Sequence, residues 1–385
     1  MRIGIDASNL LGGGGLTHLR QLIKAADPER HGFSELLVWG GDRTLSALED
    51  GREGVKLIHE PQLDRGLISR FLWRTLRLPR LAQKSCDLLL IPGGLGGPKH
   101  VPWVTMSRNM LPFEKREKAR YPPGISRARL EALRWLQSRA FKKADGVIFL
   151  TNYARAQITA QLQEVPSKNV VIPHGIDSRF LNAPSIRWNS ARVRSREIVR
   201  ILYVSTVNAY KHQWHVAEAI SQIRDEGWPV ELRLVGGGYE PALSKLKRVI
   251  VKLDPDQNWL VYCGSVAHEK LDQEYKEADI FVFASSCENM PNILLEAMAG
   301  GLPIASSDRG PMPEILADGG QYFDPEQPAM IADAIRNLLD DPERRYCLAA
   351  KAYRRSKEYS WLRCADETFA FLRKTYEEAS GASPH

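Results

Sequence analysis

The sequence predicts an α/β protein with two doubly wound parallel sheets, each in its own domain. Short apolar runs rich in β-branched residues alternate with helix-like stretches along nearly the whole chain, which is typical of parallel sheets covered by helices on both faces. The length of 385 residues exceeds what one hydrophobic core usually supports. A polar, basic stretch without periodicity, at 181–197, separates the strand-like runs into two sets.

The predicted strands fall in two sets along the chain. The first set reads IGID, ELLVWG, VKLIHE, DLLLIP, WVTMS, GVIFLT and NVVIPH. The second set reads VRILYVST, ELRLVGG, LVYCGS, IFVFASS and LPIASSD, and an amphipathic helix follows at 359–379. We therefore predict a first domain at 1–185, a second at 190–358 and a C-terminal helix at 359–380 that packs back across to the first domain.

Composition and segment length limit the class of protein. No window approaches the run of apolar residues that a membrane span requires, and the N-terminus begins with a strand-like RIGIDAS rather than a signal region. We therefore expect a cytoplasmic protein. The five cysteines have no metal-ligand spacing, so we expect reduced thiols and no metal.

The formal net charge of +7 calls for an anionic partner. Much of this charge lies in two segments, 64–84 and 114–143, where Arg and Lys alternate with large apolar residues at roughly helical spacing. Such segments can lie on an anionic membrane surface, which would make the protein peripheral on the inner face of the plasma membrane. They can equally be ordinary surface helices packed by their apolar side.

Glycine-rich loops follow predicted strands in both halves. Residues 9–18 read NLLGGGGLTH, and residues 235–241 read VGGGYEP. Neither has the Gly-x-Gly-x-x-Gly spacing of a dinucleotide site. Glycine lets a ligand approach the backbone closely, although the first loop could also be a flexible surface turn. The candidate ligand contacts in these loops are Gly13, Gly14, Gly15, Gly236 and Gly237.

The loop after the first strand of the second set reads STVNAYKHQ and carries Lys211. Open α/β sheets bind ligands outside the carboxyl ends of their strands. An ammonium in such a loop would neutralise a diphosphate as a point charge. Lys211 is therefore a candidate anion contact.

The stretch CENMPNILLEAMAGG, at 287–301, joins a predicted strand to a predicted helix. Pro291 suits the first helical position, and the glycine pair at the end suits a helix stop. The N–H groups of Asn292 and Ile293 then lie at the positive end of the helix dipole. We expect an anion to bind there.

Two carboxylates flank that predicted anion site. Glu288 precedes the helix and should reach hydroxyl groups beside the anion, since a second negative charge would be repelled. Glu296 lies four residues after Asn292, on the same helical face, and could bond a second set of hydroxyls. A nucleotide sugar, which has sugars on both sides of a diphosphate, fits this arrangement. Taken singly, each acid could be an ordinary loop or helix residue.

The stretch ENMPNILLEAMAGGLPIASSDRGPMPEIL resembles the E-x7-E region of the family-four retaining glycosyltransferases. The resemblance extends to the glycine loop at 12–15, to VIPHGID at 171–177, to Lys211 and to LVGGG, and so covers about the whole chain. It implies the GT-B fold, in which two Rossmann-like domains face an interdomain cleft and the C-terminal domain holds most of the donor.

The resemblance also implies roles for the site residues. Glu288 would contact the hydroxyls of the transferred sugar, Lys211 the diphosphate and Glu296 the nucleotide ribose. No metal and no cofactor would be needed, because basic side chains and helix N-termini stabilise the departing diphosphate of the nucleotide-sugar donor. The leaving phosphate would help to deprotonate the acceptor. Further donor contacts would be Met290, Asn292, Ile293, Gly236, Gly237, Thr206 and Arg309.

Three departures from the family pattern concern the donor. Thr206 stands where an Arg usually precedes the donor lysine, and Arg309 is our candidate for the missing cation. Arg108 and Asn109 stand where many members have a His-Asp pair, which leaves the sugar open. His174 replaces a commoner Asn, and it is either a ligand contact or a satisfied loop histidine.

These observations predict a retaining transferase that moves a hexose from a nucleotide-diphosphate sugar to an acceptor hydroxyl in surface polysaccharide or glycolipid assembly. The PHGID sequence favours GDP-mannose over a UDP-sugar, and the acceptor would be a saccharide or a lipid-linked saccharide. A nucleotide-sugar 2-epimerase on the same fold is one alternative. A non-enzymatic basic protein for nucleic acid is another, although the chain has no zinc finger, recognition helix or aromatic RNA-binding motif.

Overall fold

Two parallel β-sheets organise the computed structural model of this chain, which describes residues 1–48, 52–163, 168–184 and 198–381. Contacts divide the chain into two units. The first comprises Met1–Phe113, Pro123–Gly175 and Ser360–His385, and the second comprises Glu114–Pro122 and Ile176–Tyr359. Most of the polar stretch predicted as a linker at 181–197 lies outside the described residues.

The first unit contains a seven-stranded parallel sheet, counted over the described residues, in the order β3-β2-β1-β4-β5-β6-β7. Its inner strands are buried on both faces, which explains their continuous apolar sequences. The strands are β1 (Arg2–Asp6), β2 (Glu35–Gly40), β3 (Val55–His59), β4 (Leu88–Ile91), β5 (Trp103–Met106), β6 (Gly146–Phe149) and β7 (Asn169–Val171).

Helices lie in the connections between these strands, except between β4 and β5, which a loop joins. In the chain segment from residue 1 to 175 they are α1 (Gly13–Ala25), α2 (Asp42–Ser46), α3 (Leu67–Leu72), α4 (Leu78–Ser85), α5 (Lys115–Ala119), α6 (Ile125–Lys143) and α7 (Asn152–Leu162), with 3-10 turns at Glu29–His31 and Pro61–Asp64 and a π turn at Trp73–Arg77. Of these, α5 belongs to the second unit.

Tryptophan packing holds the first sheet to the helices beside β4. Trp39, Trp73 and Trp103 belong to one buried cluster with residues of β4. The indole N–H of Trp73 donates to Glu60 Oε2 at 2.9 Å, so its polar atom is satisfied inside the cluster. Truncating such a side chain to Ala costs about 3–5 kcal/mol of the free energy of unfolding.

The second unit contains a six-stranded parallel sheet, again over the described residues, in the order β10-β9-β8-β11-β12-β13. The strands are β8 (Val199–Val204), β9 (Val230–Val235), β10 (Leu260–Gly264), β11 (Ile280–Phe283), β12 (Ile304–Ser307) and β13 (Gln321–Phe323). Every strand predicted from the sequence is present in one of the two sheets. β13 was missed because its sequence, QYF, contains no β-branched residue, whereas the equally short β7 reads NVV.

The second sheet also carries helices between its strands. They are α8 (Gln213–Asp225), α9 (Glu240–Leu253), α10 (Leu271–Glu277), α11 (Asn292–Ala299), α12 (Met312–Leu316), α13 (Pro328–Asp340) and α14 (Pro342–Ser356), with 3-10 turns at Ser178–Phe180 and His268–Lys270. Asn182 N–H donates to Ala299 O at 2.9 Å, so the chain entering this unit packs on the end of α11.

The last helix, α15 (Trp361–Ser380), belongs to the first unit. Ser360 caps it by accepting from Arg363 N–H. Its apolar side, which includes Phe369 and Leu372, is buried, and the helix packs against α1 and β4.

Candidate functional site

The candidate site lies where the strand order of the second sheet reverses. β8 and β11 are neighbours in the sheet although they are not consecutive in the chain, and the connections leave them in opposite directions. Open α/β sheets bind ligands in the crevice outside the carboxyl ends of such a strand pair. The loop after β8 carries Lys211, and the loop after β11 carries Glu288.

Lys211 and Glu288 form an ion pair between Nζ and Oε1, and their side chains are 7% and 15% exposed. The carbonyl of Lys211 accepts from the Tyr203 hydroxyl at 2.5 Å. The ammonium also lies 5.4 Å from the ring centroids of Tyr210 and Phe283. The structure thus brings the predicted diphosphate contact and the predicted sugar contact, which are our two candidate catalytic residues, into direct contact.

Glu296 lies on α11 and is almost fully buried. Its Oε2 accepts from the Tyr275 hydroxyl at 2.9 Å. Burial raises the pKa of Glu296 to about 7, while the Tyr275 hydrogen bond and the Arg179 charge act in the opposite direction. Near neutral pH this carboxyl group can therefore either donate or accept a hydrogen bond. The sequence did not point to Tyr275, because a tyrosine in an amphipathic helix has no distinctive spacing.

The start of α11 differs by one residue from the prediction. Pro291 is the N-cap with extended backbone, and the helix begins at Asn292. The Leu294 N–H donates to Pro291 O at 3.1 Å, which leaves the N–H groups of Asn292 and Ile293 ahead of the intrahelical bonds, as predicted. The buried Oδ1 of Asn292 has no hydrogen-bond partner among the described residues. Met290 is buried beside this turn.

The glycine loop after β9 approaches another loop of the protein. Gly236 has φ 140°, and a Cβ there would lie 2.1 Å from the Ser205 carbonyl oxygen. Only glycine satisfies both constraints, because its backbone packs directly on the loop after β8. A Cβ on Gly237 would lie 2.6 Å from Ser265 Oγ. The side chain of Thr206 is exposed, and its carbonyl accepts from Gln213 Nε2 at 3.2 Å.

Arg309 follows β12, and its guanidinium is engaged by acids of the same unit. It pairs with Asp308 at 3.2 Å and with Asp324 at 2.6 Å. These two carboxylates balance the positive charge of Arg309 within the protein. A cation that was open to a ligand anion would lack such partners.

In the first unit, a second group of predicted residues surrounds the beginning of α1. Gly13, Gly14 and Gly15 form its first turn. The Arg108 guanidinium donates to the carbonyls of Gly14 at 2.5 Å and Gly15 at 3.0 Å, and burial lowers the pKa of Arg108 to about 10. Arg108 therefore holds this loop in place. Asn109 Oδ1 instead accepts from the Leu111 N–H at 3.1 Å and stabilises its own turn.

His174 lies in the same buried group, against a histidine that the sequence did not single out. Its Nδ1 lies 2.7 Å from Nδ1 of His18, so one ring donates and the other accepts. Trp361 contacts both rings. Burial lowers the pKa of both histidines, and the nearby Arg108 charge lowers it further, so both rings are neutral.

The described residues contain neither a candidate metal-binding cluster nor a helix suited to span a membrane. No group of three or more His, Cys, Asp or Glu side chains in those ranges could hold a metal ion. Within the same ranges, no helix combines the length and the apolar composition that a bilayer span requires.

Two Rossmann-like units, each with polar loops at the carboxyl ends of its parallel strands, define the GT-B class of nucleotide-sugar proteins. Comparison with protein families agrees with this. The model of "Glycosyltransferase Family 4" matches residues 12–180, and the model of "Glycosyl transferases group 1" matches residues 198–341. Together they cover most of both units, and the chain belongs to the family-four glycosyltransferases.

Individual proteins show similar relationships. The chain is 26% identical to D-inositol 3-phosphate glycosyltransferase of Kineococcus radiotolerans, over 64% of this chain and 62% of that protein. It is 29% identical to a GDP-mannose-dependent phosphatidylinositol monomannoside mannosyltransferase of Mycolicibacterium smegmatis, over 52% of this chain and 54% of the relative. The chain thus spans less than two thirds of each curated relative.

A solved structure confirms the fold at full length. Anabaena HepE, determined in complex with UDP and glucose, superimposes with a TM-score of 0.71 at 18% identity, over 96% of this chain and 98% of that one. At this identity the likeness concerns the fold.

Proposed function

We propose that this protein transfers a hexose from a nucleotide-diphosphate sugar to an acceptor hydroxyl, with retention of anomeric configuration and without a metal. The observation that carries the proposal is the contact between Lys211 and Glu288 at the switch point of the second sheet, beside the beginning of α11. Family membership supports the same reaction class. A cation, two helix N–H groups and a carboxylate converge there, as the transfer of a sugar away from a diphosphate requires.

In this proposal each group has one task. The Lys211 ammonium and the N–H groups of Asn292 and Ile293 stabilise the negative charge that develops on the departing diphosphate. Diphosphate oxygens would replace the carboxylate as partner of Lys211, and Glu288 would then accept hydrogen bonds from the hydroxyls of the transferred sugar. Glu296, one turn deeper, would bind the ribose. The leaving phosphate would take the proton of the acceptor hydroxyl.

We propose GDP-mannose as the donor. The PHGID sequence favours it, and the name of the Mycolicibacterium smegmatis relative specifies GDP-mannose. The HepE complex contains UDP, so UDP-sugars are the competing donors. Since the fold accommodates either base, turnover has to decide between them.

The acceptor that we propose is a saccharide or lipid-linked saccharide, reached at the inner face of the plasma membrane. The proposed position at the membrane is supported by the segment that comprises α3 and the following π turn, which exposes apolar side chains on one side. Its exposed apolar side chains are 48–79% accessible, and Arg65, Arg77 and Arg80 are exposed close to them in the chain. A large exposed apolar patch with basic residues fits an anionic lipid surface. The patch consists of Leu67, Ile68, Phe71, Leu72 and Leu76.

Not all of the basic charge in that segment faces outward. Arg74 turns inward and pairs with the buried Asp6 at 2.9 Å. The alternation of basic and apolar residues in the sequence therefore overstates the charge available to lipid.

A donor panel tests the function. The purified chain is incubated with GDP-mannose, UDP-glucose and UDP-N-acetylglucosamine, each with and without a saccharide acceptor and with a chelator. We expect acceptor-dependent turnover that the chelator leaves unchanged, and NMR should report an α-linked product, with the equatorial anomeric proton that these α-configured donors also have. Turnover with UDP-sugars alone would refute the GDP-mannose choice. Release of free sugar and nucleotide without any acceptor would instead indicate an epimerase.

Two variants test the site. Glu288→Gln should lower kcat far more than it weakens nucleotide binding, because the neutral amide no longer matches charge in the transition state. Glu296→Ala should chiefly raise the dissociation constant of the nucleotide. Wild-type kinetics in both variants across the panel would refute the site assignment.

A further inference from the structure

A segment from the first half of the chain lies against the candidate site in the second unit. Residues Glu114–Pro122, which contain α5, belong to the second unit by their contacts, although the chain on either side belongs to the first. Arg116 and Arg120 of this segment form ion pairs with Glu326, which follows β13. The Tyr121 hydroxyl donates to Asn208 Oδ1, in the loop after β8, at 2.6 Å.

The same segment supplies a buried carboxylate to the loop that carries Glu288. Ser286 Oγ donates to Glu117 Oε2 at 2.7 Å. His212 Nε2 lies 2.9 Å from the same Oγ. Since the hydroxyl proton is given to the carboxylate, the His212 Nε2–H is the donor of the second bond. Arg120 binds the same carboxylate, with Nε to Oε2 at 2.6 Å and Nη2 to Oε1 at 3.4 Å.

This arrangement assigns one protonation state to His212. Burial, together with nearby cations such as Arg120, lowers the pKa of His212 to about 2. The ring is therefore neutral with its proton on Nε2. Its Nδ1 is buried and has no hydrogen-bond partner among the described residues, as expected for the unprotonated nitrogen of that tautomer.

The backbone of His212 is strained. It has φ 52° and ψ 29°, a left-handed conformation that costs a non-glycine residue about 1–2 kcal/mol, and it caps α8. Such a conformation persists only where the surroundings hold it. The ring is held by Ser286 and stacks on His215, with centroids 5.2 Å apart. This strained residue directly follows Lys211, so it sets the direction in which the lysine leaves the backbone.

The two sides of the candidate site are therefore joined within two residues of each key side chain. His212 follows Lys211, and Ser286 precedes Glu288 by two positions. The backbone adds a parallel tie, because the Ser286 N–H donates to Tyr210 O at 2.9 Å. Glu117, which lies on α5 and in neither loop, accepts the hydrogen bond from Ser286 and completes the arrangement.

We propose that Glu117, Ser286 and His212 are positioning residues that hold Lys211 and Glu288 at their working separation. They act through the two loops and do not touch the reacting atoms. The inference rests on the proposed function, because it assigns these residues to the geometry of that same site. A misplacement of about 1 Å in such a site can lower the rate by about a hundredfold.

Kinetics of Ser286→Ala and of Glu117→Ala, which removes the acceptor of the Ser286 hydroxyl, test the proposal. We expect each to lower kcat at least about tenfold while changing the dissociation constants of GDP and UDP, measured by calorimetry, less than about threefold. The double variant should lose little more than either single one, since both break one arrangement. Ser286→Thr keeps the hydroxyl and should recover most of the rate.

Glu326→Gln is the matched control. It weakens the other anchor of the same segment, through Arg116 and Arg120, without touching the bonds to Ser286. It should keep kcat within about twofold of wild type. The proposal is overturned if Ser286→Ala and Glu117→Ala also stay within twofold, or if Glu326→Gln loses as much activity as they do, because the segment then acts as a structural clamp only.

Hydrogen exchange supplies a measurement that needs no turnover. In the ligand-free chain, Ser286→Ala should increase exchange at residues 205–213 and 284–291 and leave α13 unchanged. Equal exchange in both chains would overturn the proposal. If the wild type turns over no donor in the panel, the proposed function fails, whereas the exchange result still decides whether these three residues hold the two loops.

Discussion

Replacing Glu296 with Gln should make the protein more stable while weakening nucleotide binding. The carboxyl group is buried on α11, and burial raises its pKa from the ordinary 4.5 to about 7. A glutamine of nearly the same shape keeps an oxygen that can accept from the Tyr275 hydroxyl at 2.9 Å. It removes the cost of ionising a group that is held away from water.

The size of the effect follows from the pKa. Between pH 4.5 and about 7 the native chain holds a proton on Glu296 that the unfolded chain has lost, so the free energy of unfolding falls as pH rises through this window. Above pH 7 both states are ionised and the loss stays constant. A pKa that is roughly 2.5 higher in the native chain than in the unfolded chain lowers the free energy of unfolding by about 3 kcal/mol at about pH 8. At about pH 5.5 the same difference lowers it by roughly 1.4 kcal/mol.

Urea denaturation of wild type and Glu296→Gln at the two pH values measures this. The variant should be more stable at both, with a gain that is about 2 kcal/mol larger at the higher pH. Calorimetry should show weaker binding of GDP or UDP to the variant. A gain that does not change with pH would refute the reasoning, because it would show that ionisation of Glu296 is not what destabilises the fold. A less stable variant at about pH 8 would refute it too.

Three further predictions concern other parts of the chain. Ile68→Glu should reduce binding to vesicles of anionic lipid, measured by sedimentation, because it places a charge in the exposed apolar patch. His174→Asn should reduce the loss of stability between pH 6.5 and about 5.5 by about 1 kcal/mol, the contribution of one buried neutral histidine, measured by urea denaturation. Gly236→Ala should cost about 2–3 kcal/mol in the same assay, because its Cβ would meet the Ser205 carbonyl at 2.1 Å.

Controls for these variants come from the same chain. Leu362→Glu changes an equally exposed leucine on α15 and should leave vesicle binding unchanged, so equal losses in both variants would argue against a specific patch. Gly66→Ala adds a Cβ where nothing lies within 4 Å, and its stability should match wild type within about 0.5 kcal/mol. If the stability of His174→Asn depended on pH as that of the wild type does, it would contradict the conclusion that the buried His18 and His174 rings are neutral.

The strands and the loops after them could be predicted because their signals are local. A buried parallel strand needs a continuous apolar run, and the stop at Gly300 and Gly301 needs only two adjacent residues. Lys211 and Glu288 were predicted as site residues in the same way, from their places after strands. β13 escaped because its three residues, QYF, include no β-branched side chain, unlike those of the equally short β7.

Only the tertiary structure shows which contacts join these loops. Glu117 and Ser286 are 169 positions apart, and nothing in the sequence near either residue specifies the other. The same holds for His18 with His174 and for the inward turn of Arg74 towards Asp6. A sequence pattern reports which residues can form an element, because that depends on neighbours along the chain. Which buried polar group satisfies another depends on how the strands are ordered in the sheet, and only the folded chain settles that order.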